Sequence, residues 1–162
     1  MRCKLHKIEQ LSGDKTSVYS VSNGNEKNTL FDLFLQEFRD LYKSEIIDIL
    51  KRLKAIGKET GAREHYFKMN EGSPGDGVCA LFDLPGKNLR LYCIRYGTQI
   101  VILGDGGVKA KSIRSLQEDP DLKEANYFLR KLSNTITQKI KEREITYSID
   151  GLEFRGALVF DI

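Results

Sequence analysis

Arg90, Arg95, Lys109, Lys111 and Arg114, with Tyr92 and Tyr96 among them, are the side chains of this sequence best suited to chemistry. Cations beside aromatic rings suit RNA, where phosphates need charge and splayed bases need stacking surfaces. Such a set can also cleave RNA without histidine. A lysine of lowered pKa helps to deprotonate the 2′-hydroxyl, and an arginine holds the charge that develops on the phosphate. On this reading Arg90, Lys109 and Lys111 are the candidate catalytic residues. Arg95, Arg114, Tyr92 and Tyr96 are the candidate RNA contacts. The plainer reading is a solvated basic rim. Desolvating an unpaired guanidinium costs several kcal/mol, so each arginine either pairs with a carboxylate or stands at an open edge facing an anion.

Other chemistries find little support. His6 and His65 are the only histidines, and no Ser-His-Asp arrangement is visible. Cys79 and Cys93 lie in stretches that read as strands, where a thiol is an inert apolar filler. Metal-ligand spacings are absent, and neither a metal nor a cofactor is expected. Gly104-Asp-Gly-Gly-Val-Lys-Ala-Lys-Ser lacks the Gly-x-x-x-x-Gly-Lys-Ser/Thr spacing of a phosphate loop. Its glycines read instead as the place where the chain turns out of a sheet.

The elements that must position these residues centre on Leu89 to Gly104. Two runs of β-branched and aromatic residues flank Gly97-Thr98, the pattern of a hairpin at the middle of a sheet. Strand alternation puts Arg90 with Tyr92, Ile94 and Tyr96 on one face and Arg95 with Leu89, Leu91 and Cys93 on the other. Ile100 to Leu103 has no polar residue, so both its faces should be covered. Val78 to Phe82 adds a third strand, giving an antiparallel meander. Cys3 to Glu9 and Thr16 to Val21 read as an N-terminal hairpin.

Two helices follow that hairpin. Asn28 or Thr29 caps the first, with the stripe Phe31, Phe34, Leu35, Phe38 and Leu41. Ser44 caps the second, with the stripe Ile46, Ile49, Leu50, Leu53 and Ile56. Asp119-Pro120 opens a long third helix, on which Leu122, Ala125, Leu129, Leu132 and Ile136 form a seam for the chain's own sheet or for a partner. Asp150-Gly151 between two alternating runs marks a C-terminal hairpin, and Ala157 to Phe160 reads as a further strand.

Composition sets the class. The chain has 162 residues, enough for one domain with a real core, and a net charge of +3. That charge is too small by itself to imply nucleic acid. Its distribution is more telling: Lys87, Arg90, Arg95, Lys109, Lys111 and Arg114 face a single acid, Asp105, between positions 87 and 114. Three cysteines at irregular spacing, with no apolar leader, imply free thiols in the cytoplasm and no membrane association.

The order strand, paired helices, three-stranded meander and basic loop resembles the RelE/HigB superfamily of type II toxin–antitoxin toxins. The strongest local match is Asn88-Leu-Arg-Leu-Tyr-Cys-Ile-Arg-Tyr running into Gln99-Ile-Val-Ile-Leu-Gly and then Lys109-Ala-Lys, with Gly57 and Gly61 after the second helix. The resemblance implies an α+β, RelE-like domain, with an antiparallel sheet and an N-terminal helix pair packed on one face. A core from about 16 to 140 would carry an N-terminal strand extension, 1–15, and a C-terminal hairpin extension, 141–162. It further implies an endoribonuclease that cuts mRNA at the ribosome and is silenced by a small antitoxin protein. Arg90 would contact the phosphate, Lys109 or Lys111 would be the basic residue after the last strand, and Arg95 and Arg114 have weaker counterparts. Val78 to Phe82 carries no cation where such proteins often place one. This departure motivates the alternative, a RelE-like fold that binds RNA or protein without catalysis.

Overall fold

The structure is a computed structural model that describes residues 1–109 and 119–162. Its first two strands, β1 (Arg2–Lys7) and β2 (Ser17–Asn23), form the expected antiparallel hairpin, in register Leu5 to Val21. Helices α1 (Leu30–Phe38) and α2 (Lys43–Ala55) follow. A π-helical turn at Ile56–Thr60 and a 3-10 turn at Glu64–Tyr66 lead to β3 (Phe67–Lys68). The meander is β4 (Val78–Leu81), β5 (Leu89–Tyr96) and β6 (Ile100–Val108). Helix α3 (Pro120–Lys141), the small hairpin of β7 (Ile145–Tyr147) and β8 (Phe154–Gly156), and β9 (Val159–Asp161) complete the chain.

Among the described residues, seven strands form one sheet in the order β3-β4-β5-β6-β2-β1-β9. The class is α+β, but the sheet is mixed rather than antiparallel, because β2 runs parallel to β6. A parallel neighbour is possible there because the two-helix excursion brings the chain back across the sheet. The helix pair does not open the domain either: two sheet strands precede it, and α3 takes the opposite face. The stretches 1–15 and 141–162 are built in, supplying β1 and β9 to this sheet.

Alternation divides the core accordingly. Phe31, Phe34, Phe38, Ile46, Ile49 and Leu53 pack on Val18, Cys79, Leu91, Cys93, Val101 and Leu103. On the other face Leu122, Ala125, Leu129, Leu132 and Ile136 cover Tyr19, Val21, Tyr92, Ile94, Ile100 and Ile102. The apolar run Ile100 to Leu103 is buried from both sides, as a strand of that composition requires. The α3 seam is therefore occupied by the chain's own sheet.

Local chemistry fixes the ends of these elements. Thr29 Oγ1 accepts from Asp32 N and Asp32 Oδ2 accepts from Thr29 N, a reciprocal cap on α1. Asp119 and Pro120 start α3 as expected. Ser44 is not a cap. The chain turns directly from α1 into α2, whose first flanking residue is Tyr42 with no side-chain bond. Leu41 falls in that turn and is exposed.

The glycine run does not leave the sheet, since β6 continues to Val108. These glycines are clearances. A Cβ on Gly104 would meet Leu129 side-chain atoms at 2.7 Å, one on Gly107 would touch Leu122, and one on Gly106 would strike the Arg90 carbonyl oxygen at 1.8 Å. Helix α3 also fastens the loop before β4. Asn126 Nδ2 and Arg130 Nη2 donate to Glu71 O, and Ser133 Oγ donates to Asp76 O at 2.6 Å.

Candidate functional site

The residues that hold Arg90 in place begin on α2. Glu45 is buried, and its carboxylate accepts from Asn88 N at 2.8 Å, Asn88 Nδ2 at 2.9 Å and Leu89 N at 3.1 Å. Burial works against the Glu45 charge, but these three donors outweigh it, with help from Lys87, and hold the carboxyl below its ordinary range. The start of β5 is thus pinned from below. Arg90 follows two residues after Asn88, opposite Gly107 of β6. Lys109 leaves the end of β6, tied back by its N–H to Asn88 O at 2.8 Å.

Arg90 and Lys109 converge on one group, Asp83, in the turn between β4 and β5. Arg90 Nη2 lies 3.8 Å from Asp83 Oδ1, and Lys109 Nζ donates to Asp83 Oδ2. The Asp83 side chain is only 7 % exposed, against 18 % for Arg90 and 21 % for Lys109. Two cations therefore share one enclosed carboxylate and leave one unit of positive charge uncompensated within the group. Arg90 Nε is buried with no partner among the described residues.

The other predicted residues are placed differently. Arg95 lies on the opposite face, where Nε donates to Ala62 O at 2.6 Å and Nη1 is 3.8 Å from Glu64. It is satisfied within the protein and does not join Arg90. Tyr92 has no exposed surface beneath α3, so it cannot stack a base. Burial raises the pKa of its hydroxyl, and neighbouring Arg90 opposes that rise. Tyr96 packs edge-on against Phe154 with ring centroids 5.3 Å apart, and burial likewise raises its pKa. Tyr92 serves the core because α3 covers the face on which alternation places it, and Tyr96 packs, partly buried, at the edge of the same cluster. Lys111 and Arg114 lie outside the described residues.

Asp83 and Glu45 are the site residues that sequence reasoning missed. A signal for Asp83 existed: an acid and a base that flank one short turn, Asp83 and Arg90, are brought together by closing the hairpin. Glu45 offered none, because a single acid on a helix reads as a solvated position.

Close by, where the end of β6 meets α1 and α3, a cavity of about 480 Å³ is lined by Glu37, Asp105, Asp119, Asp121 and Glu124. Burial raises the Asp105 pKa, the Gly106 N–H opposes the rise, and Glu37, Asp121 and Glu124 add to it. Five carboxylates make this cavity a poor place for a phosphate. Among the described residues no cluster of His, Cys, Asp or Glu is placed to hold a metal ion. No described helix is long and apolar enough to cross a membrane.

No family model, curated protein or solved structure matches the chain.

Proposed function

We propose that this chain acts on RNA as the toxin component of a type II toxin–antitoxin pair, a RelE-like endoribonuclease that engages a backbone phosphate with Arg90 and Lys109. The observation that carries this reading is the meeting of those two cations, one on β5 and one just beyond β6, at one carboxylate-sized position near the end of the sheet. A carboxylate and a phosphate present similar acceptor oxygens, and a guanidinium with an ammonium suits either.

In the reaction, the RNA 2′-hydroxyl gives its proton to solvent as its oxygen attacks the adjacent phosphorus, forming a 2′,3′-cyclic phosphate. The P–O5′ bond breaks, with the 5′-oxygen taking a proton from water. Arg90 holds the charge gathered on the non-bridging oxygens, and Lys109 supplies the second cationic contact. The implied partners are RNA, including ribosome-bound mRNA, and a small antitoxin protein that masks the cations. Expression should arrest growth, and Arg90→Ala should relieve the arrest while the protein stays folded. Cleavage by the variant should fall by ~10²-fold or more, the scale for losing one charge-stabilising contact. Normal growth on expression of the wild-type chain argues against the toxin reading.

A second reading, RNA binding without cleavage, is favoured by a specific observation. The hydroxyl of Tyr92, which neighbours Arg90, is sealed in the core and its pKa is raised by burial. Among the described residues, the two cations thus have no accessible tyrosine hydroxyl beside them. Salt-sensitive binding with the RNA recovered intact supports this reading; cleaved product that disappears with Arg90→Ala refutes it.

A further inference from the structure

The site is closed as it stands, and the group that closes it is part of the chain. Asp83 lies between Arg90 and Lys109 with both carboxylate oxygens engaged. A phosphate cannot reach the same donors while that carboxylate remains. The turn that carries Asp83 is anchored at its two ends. At one end, Phe82 N donates to Tyr66 O at 2.8 Å and Arg52 Nη1 to Phe82 O; at the other, Glu45 holds Asn88 and Leu89.

Between those anchors Leu84, Pro85, Gly86 and Lys87 are exposed. Among the described residues, the hydrogen bonds and ion pairs of the turn from Asp83 to Lys87, beyond its own Lys87 N to Leu84 O bond, are those of the Asp83 carboxylate. Opening therefore breaks two ion pairs and exposes an enclosed carboxylate, while four residues of the turn are already exposed.

We infer that Asp83 is an internal stand-in for the phosphate: RNA enters the Arg90–Lys109 pair only by displacing this carboxylate as the turn from Asp83 to Lys87 swings outward. This inference rests on the RNA reading of the same site and adds how that site is held shut. In the closed state the three side chains carry a net charge of +1; with Asp83 displaced, the two cations present +2 to the incoming anion. Affinity is thus set by a competition between an internal and an external anion.

The test uses the full chain and two probes, a fluorescein-labelled single-stranded oligoribonucleotide and inorganic pyrophosphate. Asp83→Asn keeps the shape and removes the charge. It should bind the oligoribonucleotide at least ~10-fold more tightly than wild type. Its dependence of log affinity on log salt should steepen by about 0.7, the increment for one further contact to a single strand. Asp83→Glu, which keeps the anion, should behave as wild type. Adding Arg90→Ala to Asp83→Asn should abolish the gain.

The sequence has no tryptophan, so Leu84→Trp provides a silent background for following the turn. Its emission should change on saturation with either probe, a readout that needs no substitution at Asp83. Equal or weaker binding by folded Asp83→Asn, or unchanged emission from Leu84→Trp at saturation, overturns the inference. Tighter Arg90-dependent binding of pyrophosphate by Asp83→Asn, with no RNA binding by any variant, upholds the displaceable carboxylate and removes the RNA reading. Arg90-dependent RNA binding that Asp83→Asn leaves unchanged does the reverse.

Discussion

Replacing Glu45 is the most direct test of how the site is built. The carboxylate accepts three hydrogen bonds at the start of β5, one of them from the buried Leu89 N–H. Glu45→Ala strands that N–H, whereas the groups on exposed Asn88 regain water. With about 1.5–3 kcal/mol for a hydrogen bond to a charged group and a further ~1 kcal/mol for an unpaired buried donor, the expected loss is ~2.5–4 kcal/mol. For a chain of this size that lowers the melting temperature by roughly 5–16 °C. Glu45→Gln keeps one acceptor oxygen and should lose about half as much.

The pH dependence gives a second check. The Glu45 carboxyl is held below its ordinary value, so its contribution is fully present above the unfolded-state value, near pH 4.5, and is lost as pH falls through the folded-state value. Urea unfolding of wild type and Glu45→Gln, followed by circular dichroism from pH 7 to 3, should show the difference in stability shrinking only below about pH 4.5. Because Glu45 sets the start of β5, Glu45→Ala should also weaken any Arg90-dependent anion binding. A stability loss under about 0.5 kcal/mol for Glu45→Ala, the range of neutral surface changes, refutes the reasoning. So does a Glu45→Gln difference that persists unchanged at pH 3.

Other substitutions probe the framework. Phe34→Ala empties a site with no solvent exposure on the α1 face and should cost ~3–5 kcal/mol by denaturant titration. Gly104→Val drives a side chain into Leu129 and should cost about 1–3 kcal/mol or more, with refolding yield as a second readout. The buried thiols should react with a disulfide reagent only at the rate of global unfolding, since burial pushes Cys79 up to about 12 and Cys93 well above its ordinary value. Ser133→Ala removes the bond to Asp76 O and should cost ~1 kcal/mol. It should also speed proteolysis within Glu71 to Gly77, while cleavage elsewhere is unchanged.

What the sequence revealed followed from periodicity and caps. The all-apolar run at Ile100, the phenylalanine stripe of α1 and the Asp119-Pro120 start each carry their cause in neighbouring residues. What it concealed depended on pairings between distant segments. The parallel contact of β2 with β6 joins residues such as Ser20 and Leu103, 83 positions apart, and no local pattern encodes it. Tyr92 illustrates the cost for the site. Alternation correctly put it on the face of Arg90, but the placement of α3 over that face, which makes Tyr92 core, is a tertiary fact. Gly104, Gly106 and Gly107 looked like a turn because clearance for a leucine and freedom of backbone use the same residue.

The parallel seam between β2 and β6 imposes an order on how the molecule is made. At ~5–20 residues per second, the strand that must lie beside β2 follows it from the ribosome by roughly 4–17 s. During that interval β2 has only β1 as a neighbour, and a lone two-stranded ribbon is barely stable in water. The phenylalanines of α1 meanwhile have no completed sheet to cover. The nascent N-terminal half therefore spends seconds with apolar surface exposed, and α3 and β9 finish the other face last. Synthesis speed and chaperone supply, rather than final stability, should limit how much of this protein a cell recovers folded.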